Sequence, residues 1–398
     1  MKLLSVEAAR SRMLAKVAPP AAESVPLSEA LGRVLAADVV ACRDQPPFAA
    51  SAMDGWAVRA ADGPGRLTIV GESAAGHGFT GVVGSGEAVR VFTGAPVPAG
   101  ADAVVVQEDA KRDGGHVVIP AVSHPRHVRP AGQDFRAGDR LLAAGTRLDP
   151  WRLSLAAAAG LASLRVSRRP CVAILSTGEE IVAPGGAPGP FQIFNSGTTA
   201  LAALARTCGG APQSLEAVGD DAAATARAVA EADCDLVVTI GGASVGDHDL
   251  VKPALLSLGL ELVVESVAMR PGKPTWFGVL ADGRKVLGLP GNPASALVCA
   301  ELFLGPLLAA MQGADPAPRL IAARAAAVVE ANGPREHWMR AKLTHDADGV
   351  LVAAPFADQD SSLVSVFAQA DALVRRAAGA PAVEAGGMLE VLPLARLS

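Results

Sequence analysis

The stretch KVLGLPGNPAS, residues 285–295, moves from an apolar run through a constrained loop into a helical pattern. Two prolines and two glycines fall between Gly288 and Pro293, which stiffens the turn. The same arrangement recurs upstream. Apolar runs CVAILS (171–176) and DLVVTI (235–240) alternate with the helical stretches TTALAALARTC, AAATARAVAEA and DLVKPALLSL. Continuous apolar strands separated by helices predict an α/β domain over 171–312 with a mostly parallel sheet covered on both faces. In such sheets ligands bind beyond the carboxyl ends of the strands. Three loops share that rim: Thr177-Gly178-Glu179-Glu180, the run GGASVGDHD at 241–249, and PGNPAS at 290–295.

The rim loops suit anions. Gly241, Gly242 and Gly246 allow close backbone approach, Ser244 brings a hydroxyl, and Asp249 a carboxylate that can bridge Mg²⁺ to phosphate. In PGNP, Pro290 and Gly291 shape the turn, Asn292 is placed to cap the following helix, and Pro293 fits its first turn ahead of Ser295. Just upstream, RPGKP holds Arg270 and Lys273 between prolines, a rigid cationic spur. Taken singly, each loop reads equally well as a capped or solvated turn. There is no Walker A loop and no GxGxxG after a strand, so nucleotide hydrolysis and dinucleotide chemistry drop in rank.

Around this segment the pattern changes. Residues 1–43 read as two helices, the second capped by Ser28, and helical pattern returns at 149–161, so 1–43 and 144–170 form an expected N-terminal helical region. Between them, residues 44–143 carry short β-like runs with Gly and Pro punctuation and predict an inserted β domain. Residues 313–398 return to short strands, a C-terminal β module. The expected fold class is therefore multidomain α/β plus β.

Bulk composition limits the function classes. At 398 residues, 50% hydrophobic and 19% charged, the chain is globular, and a net charge of −5 without a basic block argues against nucleic acid as a partner. Five scattered cysteines form no CxxC or Cys/His cluster. The segment 294–311 has the length of a membrane span, but Glu301 and Pro306 interrupt it; it reads as a buried helix, and the chain as cytoplasmic, with no membrane partner. No Ser/His/Asp or Cys/His set supports covalent catalysis. Asp54 in SAMDGWAV, Thr93 in VFTGAP and Asp134 in GQDF each fit an ordinary turn when read alone.

In order along the chain stand PFAASAMDGWAV, FTGAPVPAGADAVVVQE, RPAGQDFRAGDRLLAAGTRL, AILSTGEEI, TIGGASVGDHDLVK, RPGKPTWFGVL and GLPGNPASALV. The series resembles the molybdopterin molybdenumtransferase family, the MoeA proteins and the gephyrin E domain, from the first helix to the last β module. The resemblance implies a helical region, an inserted β domain, a molybdopterin-binding α/β domain and a C-terminal β barrel in a homodimer. It also implies insertion of molybdate into adenylylated molybdopterin with Mg²⁺-dependent release of AMP, at a site made by the α/β domain of one subunit and the N-terminal regions of the other. By motif, Asp54, Thr93, Asp134, Glu180, Asp220 and Asp249 match functionally important positions, Asp220 and Asp249 as candidate Mg²⁺ ligands. Thr177, Gly178, Gly241, Gly242, Ser244, Gly246, Arg270, Lys273, Pro290, Gly291, Asn292, Pro293 and Ser295 match the pterin and oxyanion pocket, and Arg335 and Ser361 residues linked to molybdate. A molybdopterin adenylyltransferase and molybdoenzyme apoproteins are the implied further partners. The chain departs from the family pattern at Arg270, where Lys is frequent, at Asn195-Ser196-Gly197, and at Trp56, where Tyr is usual. An adenylyltransferase sharing the α/β domain, a non-catalytic scaffold and a tungstate-using paralogue are the rival readings.

Overall fold

The computed structural model describes residues 3–18, 20–122, 126–242 and 250–394. The chain divides into two compact units, one of Met1–Glu23, Gly32–Ala36 and Val166–Ser398, the other of Ser24–Leu31 and Ala37–Arg165.

The first unit holds a six-stranded sheet ordered Ala211–Ser214, Cys171–Ser176, Leu236–Ile240, Lys285–Leu289, Trp276–Val279, Glu261–Val264. The first four pair in parallel, while Trp276–Val279 runs against both its neighbours. Side chains alternate between two cores: Val172 and Ile174 pack with Leu201 and Phe303, whereas Ala173 and Leu175 pack with Val229 and Leu255. Burial on both faces is why the inner strands are apolar throughout instead of alternating.

The segment Pro293–Met311 is long and apolar enough to span a membrane, but 67% of its window is buried inside the fold. It runs as α-helix to Cys299, widens to a π-helical stretch over Ala300–Leu304, and resumes as α-helix from Gly305. Leu302, Phe303, Leu307 and Leu308 enter the core from it, and burial pushes the Glu301 carboxyl up to about 7. The N-terminal helix Val6–Leu14, capped by Ser5, adds Val6, Ala9 and Met13 to the same core.

Ile321–Ala325, Glu336–His345, Leu351–Pro355, Ala372–Arg376 and Met388–Pro393 close into the expected barrel, because Glu336–His345 pairs with both Leu351–Pro355 and Ala372–Arg376. Its outer residues Trp338, Leu373 and Leu392 belong to the core of the α/β sheet. The two-residue strand Met269–Arg270 leaves the α/β segment and pairs with the barrel, Arg270 standing opposite His337.

The second unit contains a mixed six-stranded sheet ordered Ala103–Val106, Gly55–Val58, Glu87–Val91, Gly65–Ser73, His116–Ile119, Lys111–Asp113. Its helix Pro150–Ala158 starts where the pattern predicts, with Asp149 accepting from Arg152 N at 2.8 Å. The second N-terminal helix is a correction. Leu27–Glu29 make a single 3₁₀ turn, and Ser28 caps nothing. Pro26 precedes that turn and Gly32, at φ +74°, follows it, so the backbone turns away before a second helical turn can form.

Two tests follow from this packing. Trp276 faces Gly288 directly across the sheet, and its ring occupies the place a Cβ on Gly288 would take. Gly288→Ala should therefore lower stability by about 2–3 kcal/mol in urea denaturation; an unchanged midpoint would mean the ring is not held there. Because burial holds the folded Glu301 carboxyl above the ordinary 4.5, its contribution is present below 4.5 and lost as pH rises through about 7. Denaturation midpoints measured across that window should fall less steeply in Glu301→Gln than in the parent chain.

Candidate functional site

Backbone pairing assembles the rim of the α/β sheet. Thr177 N donates to Ile240 O at 3.0 Å, Gly178 N to Val218 O at 3.1 Å, and Gly241 N to Leu289 O at 3.2 Å. Thr177, Glu180, Gly241, Gly291 and Pro293 line one small cavity of about 60 Å³. Gly241, at φ +90°, lies so close that a Cβ would meet Thr177 O at 2.8 Å, and a Cβ on Gly291 would stand 3.5 Å from Gly241 Cα. Gly178 and Gly242 also take positive φ, at +131° and +57°. Gly178, Gly241 and Gly242 are thus required by the backbone of the meeting loops themselves, whereas Gly291 is only in ordinary contact. Ser244, Gly246 and Asp249 lie outside the described residues.

The departing FNSGTT loop also lines this cavity, through Phe194, Asn195, Ser196 and Gly197. Asn195 caps the helix Ser196–Thr207, its Oδ1 accepting from Thr198 N at 3.0 Å, while Ser176 Oγ and Thr198 Oγ1 share a hydrogen bond of 2.6 Å. This polar floor was missed from sequence, although an Asn directly ahead of a helical pattern is the signal for a cap.

Asn292 holds the N-cap position of its helix, but its side chain does not cap it. Its Nδ2 instead donates to Ser361 Oγ at 2.8 Å, and the amide of Ala294 donates to Ser361 O at 3.1 Å. Donating through Nδ2 leaves the side chain committed to the barrel, and the barrel's backbone carbonyl takes the first-turn amide. The expectation of a free, side-chain-capped helix end is corrected accordingly, and Asn292 and Ser361, far apart in sequence, are brought together. Ser295 is buried behind them.

The RPGKP spur is anchored at both ends. Val267 N donates to Lys273 O at 3.0 Å, Thr275 Oγ1 to Gly272 O at 2.8 Å, and Glu336 N to Ala268 O at 3.0 Å. Arg270 and Arg335 sit beside His337, whose imidazole is pushed down to about 4, first by burial and then by the charges of Arg270, Arg340 and Arg335.

Asp220 reaches the rim through the bridge between Thr177 and Val218. Its neighbour Asp221 caps the helix Ala222–Glu231, accepting from Ala223 N and Ala224 N at 2.8 and 3.0 Å, so Asp220 is not needed for capping. Among the described residues no group of three His, Cys, Asp or Glu side chains could cage a metal ion. A rim carboxylate does fit Mg²⁺, which keeps several waters and takes one or two carboxylates plus substrate phosphates.

In the second unit Asp54 and Thr93 are bonded. Asp54 Oδ1 accepts from Thr93 N at 2.7 Å and from Thr93 Oγ1 at 2.8 Å. These two donors, backbone first, and then the charge of Arg90, hold the exposed Asp54 carboxyl below its usual range. Arg90 itself lies between the rings of Trp56 and Phe92, at 5.4 and 4.9 Å from their centroids, and donates to Gly55 O and Gln107 Oε1. No single motif announces that clamp. Asp134 is not in the Asp54–Thr93 pair. It lines a cavity of about 600 Å³ with Gln45, Arg129 and Gly94, the last adjoining Thr93.

A lowered carboxyl pKa stabilises the fold above the unfolded value and the gain is lost as pH falls through the folded one. For Asp54 that window lies below 3.8. In Thr93→Val the carboxyl should titrate at higher pH than in the parent, by carbon-detected NMR; an unmoved titration would sink the assignment of that hydroxyl as donor.

Comparison with known proteins agrees with this layout. The family descriptions "MoeA N-terminal region (domain I and II)", "Probable molybdopterin binding domain" and "MoeA C-terminal region (domain IV)" match residues 4–160, 173–310 and 322–394. A Mycobacterium tuberculosis protein named molybdopterin molybdenumtransferase 2 is 39% identical over 353 residues, covering 83% of this chain and 86% of that one. A molybdopterin molybdenumtransferase of Staphylococcus epidermidis is 30% identical over 400 residues, covering 98% and 95%. The crystal structure of a molybdopterin biosynthesis MoeA protein from Pyrococcus horikoshii superposes with a TM-score of 0.84 at 32% identity, covering 98% of this chain and 99% of that one. With its sheet rim, its barrel and these relatives in agreement, the chain belongs to the molybdopterin molybdenumtransferase (MoeA) family, transferases of molybdenum cofactor biosynthesis.

Proposed function

We propose that this chain inserts molybdate into adenylylated molybdopterin and releases AMP in a Mg²⁺-dependent reaction. The observation that carries the reading is the convergence of Thr177, Gly241, Gly291 and Pro293 on one cavity at the carboxyl end of a parallel sheet. Backbone there can approach a pterin or phosphate without side chains intervening. The substrates are a phosphoanhydride and a tetrahedral oxyanion, so fixed cations and amides stabilise charge without reorganising. In this scheme Arg270, Lys273, Arg335 and Ser361 hold oxyanion, while Thr177, Gly178 and the PGNP loop flank the pterin. Glu180 orients substrate polar groups at the same rim.

Asp220 and Asp249 would hold Mg²⁺. When bound, the cation would neutralise charge as the phosphoanhydride breaks. Asp54, held in place by the two hydrogen bonds from Thr93, and Asp134 are assigned to the reaction from the second unit, in a homodimer whose site draws on both copies. The four-domain division at residues 43, 143, 170 and 312, and a cytoplasmic setting, belong to the same proposal.

Purified protein given adenylylated molybdopterin, molybdate and Mg²⁺ should release AMP only when molybdate is present. Asp249→Asn and Asp54→Asn should each slow that release roughly 100-fold or more, the scale of losing one charged group at a reacting centre. Bound pterin with no AMP release, or either variant at the parent rate, would overturn the assignment.

A further inference from the structure

One end of the barrel opens on a cavity of about 510 Å³ that the rim residues Thr177, Gly241 and Gly291 do not touch. Much of its wall is apolar, including Val328, Met339 and Phe356. Its polar side is a row across three paired strands. Arg270 stands opposite His337 in one pairing, and His337 opposite Arg376 in the next. All three line the cavity.

Arg376 is the unusual member. It is 5% exposed, its Nη2 donates to Glu330 O at 3.2 Å and to Pro381 O, and its Nε has no partner. Those two carbonyls fix the guanidinium in the cavity wall. Beside it, His337 is neutral near pH 7 and so offers one ring N–H as donor. Arg335 and Arg340 add positive charge behind the imidazole, and Glu330 supplies an acidic side chain to the wall.

We propose that this cavity binds a small amphiphilic anion, a carboxylate with a compact apolar tail. The head lies against Arg376 and His337, and the tail against Val328, Met339 and Phe356. An apolar wall of this extent suits such a tail and has nothing to offer a bare inorganic oxyanion. Lys273, Arg335 and Ser361, assigned above to oxyanion binding, are not part of its lining. The site is independent of the insertion reaction, and only Arg270 borders both.

The test uses the full chain and 4-phenylbutanoate as probe, by isothermal titration calorimetry at pH 7. Saturable one-site binding is expected, at least tenfold weaker for the neutral amide of the same acid. Ala327→Trp, which fills the cavity from an exposed wall position, should abolish binding, and Arg376→Met should weaken it at least tenfold. Molybdate at saturating concentration should leave probe affinity unchanged. Equal affinity for acid and amide, unchanged binding in Ala327→Trp, or displacement by molybdate would each overturn the proposal. Should Arg376→Met fail to fold, the amide comparison and Ala327→Trp decide the question.

Discussion

The pairing of Leu236–Ile240 with Lys285–Leu289 at the centre of the parallel sheet is what the rest of the α/β unit depends on. It sets two strand ends side by side, so the chain must leave both of them through the same small space. At Gly241 only backbone fits, since a Cβ there would meet Thr177 O at 2.8 Å, and Gly291 packs beside it. A constraint that is first of all steric thereby produces a surface of amides and carbonyls without side chains. On the opposite flank Trp276 closes over Gly288, so the strand is pinned on that side as well.

A second constraint joins the rim to the barrel. The carbonyl and hydroxyl of Ser361 both engage the turn at Asn292 and Ala294, while Met269–Arg270 is added to the barrel edge. Where the strand addition lies, burial first and then the charges of Arg270, Arg340 and Arg335 hold the His337 imidazole down. A polar turn and a strand addition thus hold in register groups that local sequence separates by tens of residues.

Much of this was legible in advance. Uniformly apolar runs such as CVAILS and DLVVTI announce a doubly covered sheet because burial on both faces leaves no place for alternation. The edge strand Ala211–Ser214 was not legible, since APQS is polar and contains Pro212, tolerable only where no further neighbour needs the amide. The barrel strand Ala372–Arg376 was hidden by its paired arginines, one of which is buried and held by backbone carbonyls. Ser28 misled because a cap residue matters only if the following backbone can continue, and Gly32 turns it aside. For the site, the loops were visible as glycine and proline clusters. Which partner each side chain takes was not: Asn292 looks like a cap in sequence and becomes a tie to Ser361 in three dimensions.

The shared core has a consequence for dividing the chain. Trp338, Leu373 and Leu392 of the barrel lie in the same apolar cluster as Val172 and Phe303 of the sheet. A chain cut after Gln312 would uncover that cluster and strip Ala294 of its acceptor, leaving the α/β half sticky and its rim frayed. Free-standing relatives of such a sheet would need polar residues where this one is apolar. A barrel grafted in place of this one would have to present a matching apolar face, because residues on either side of the seam pack in one cluster and their substitutions are coupled.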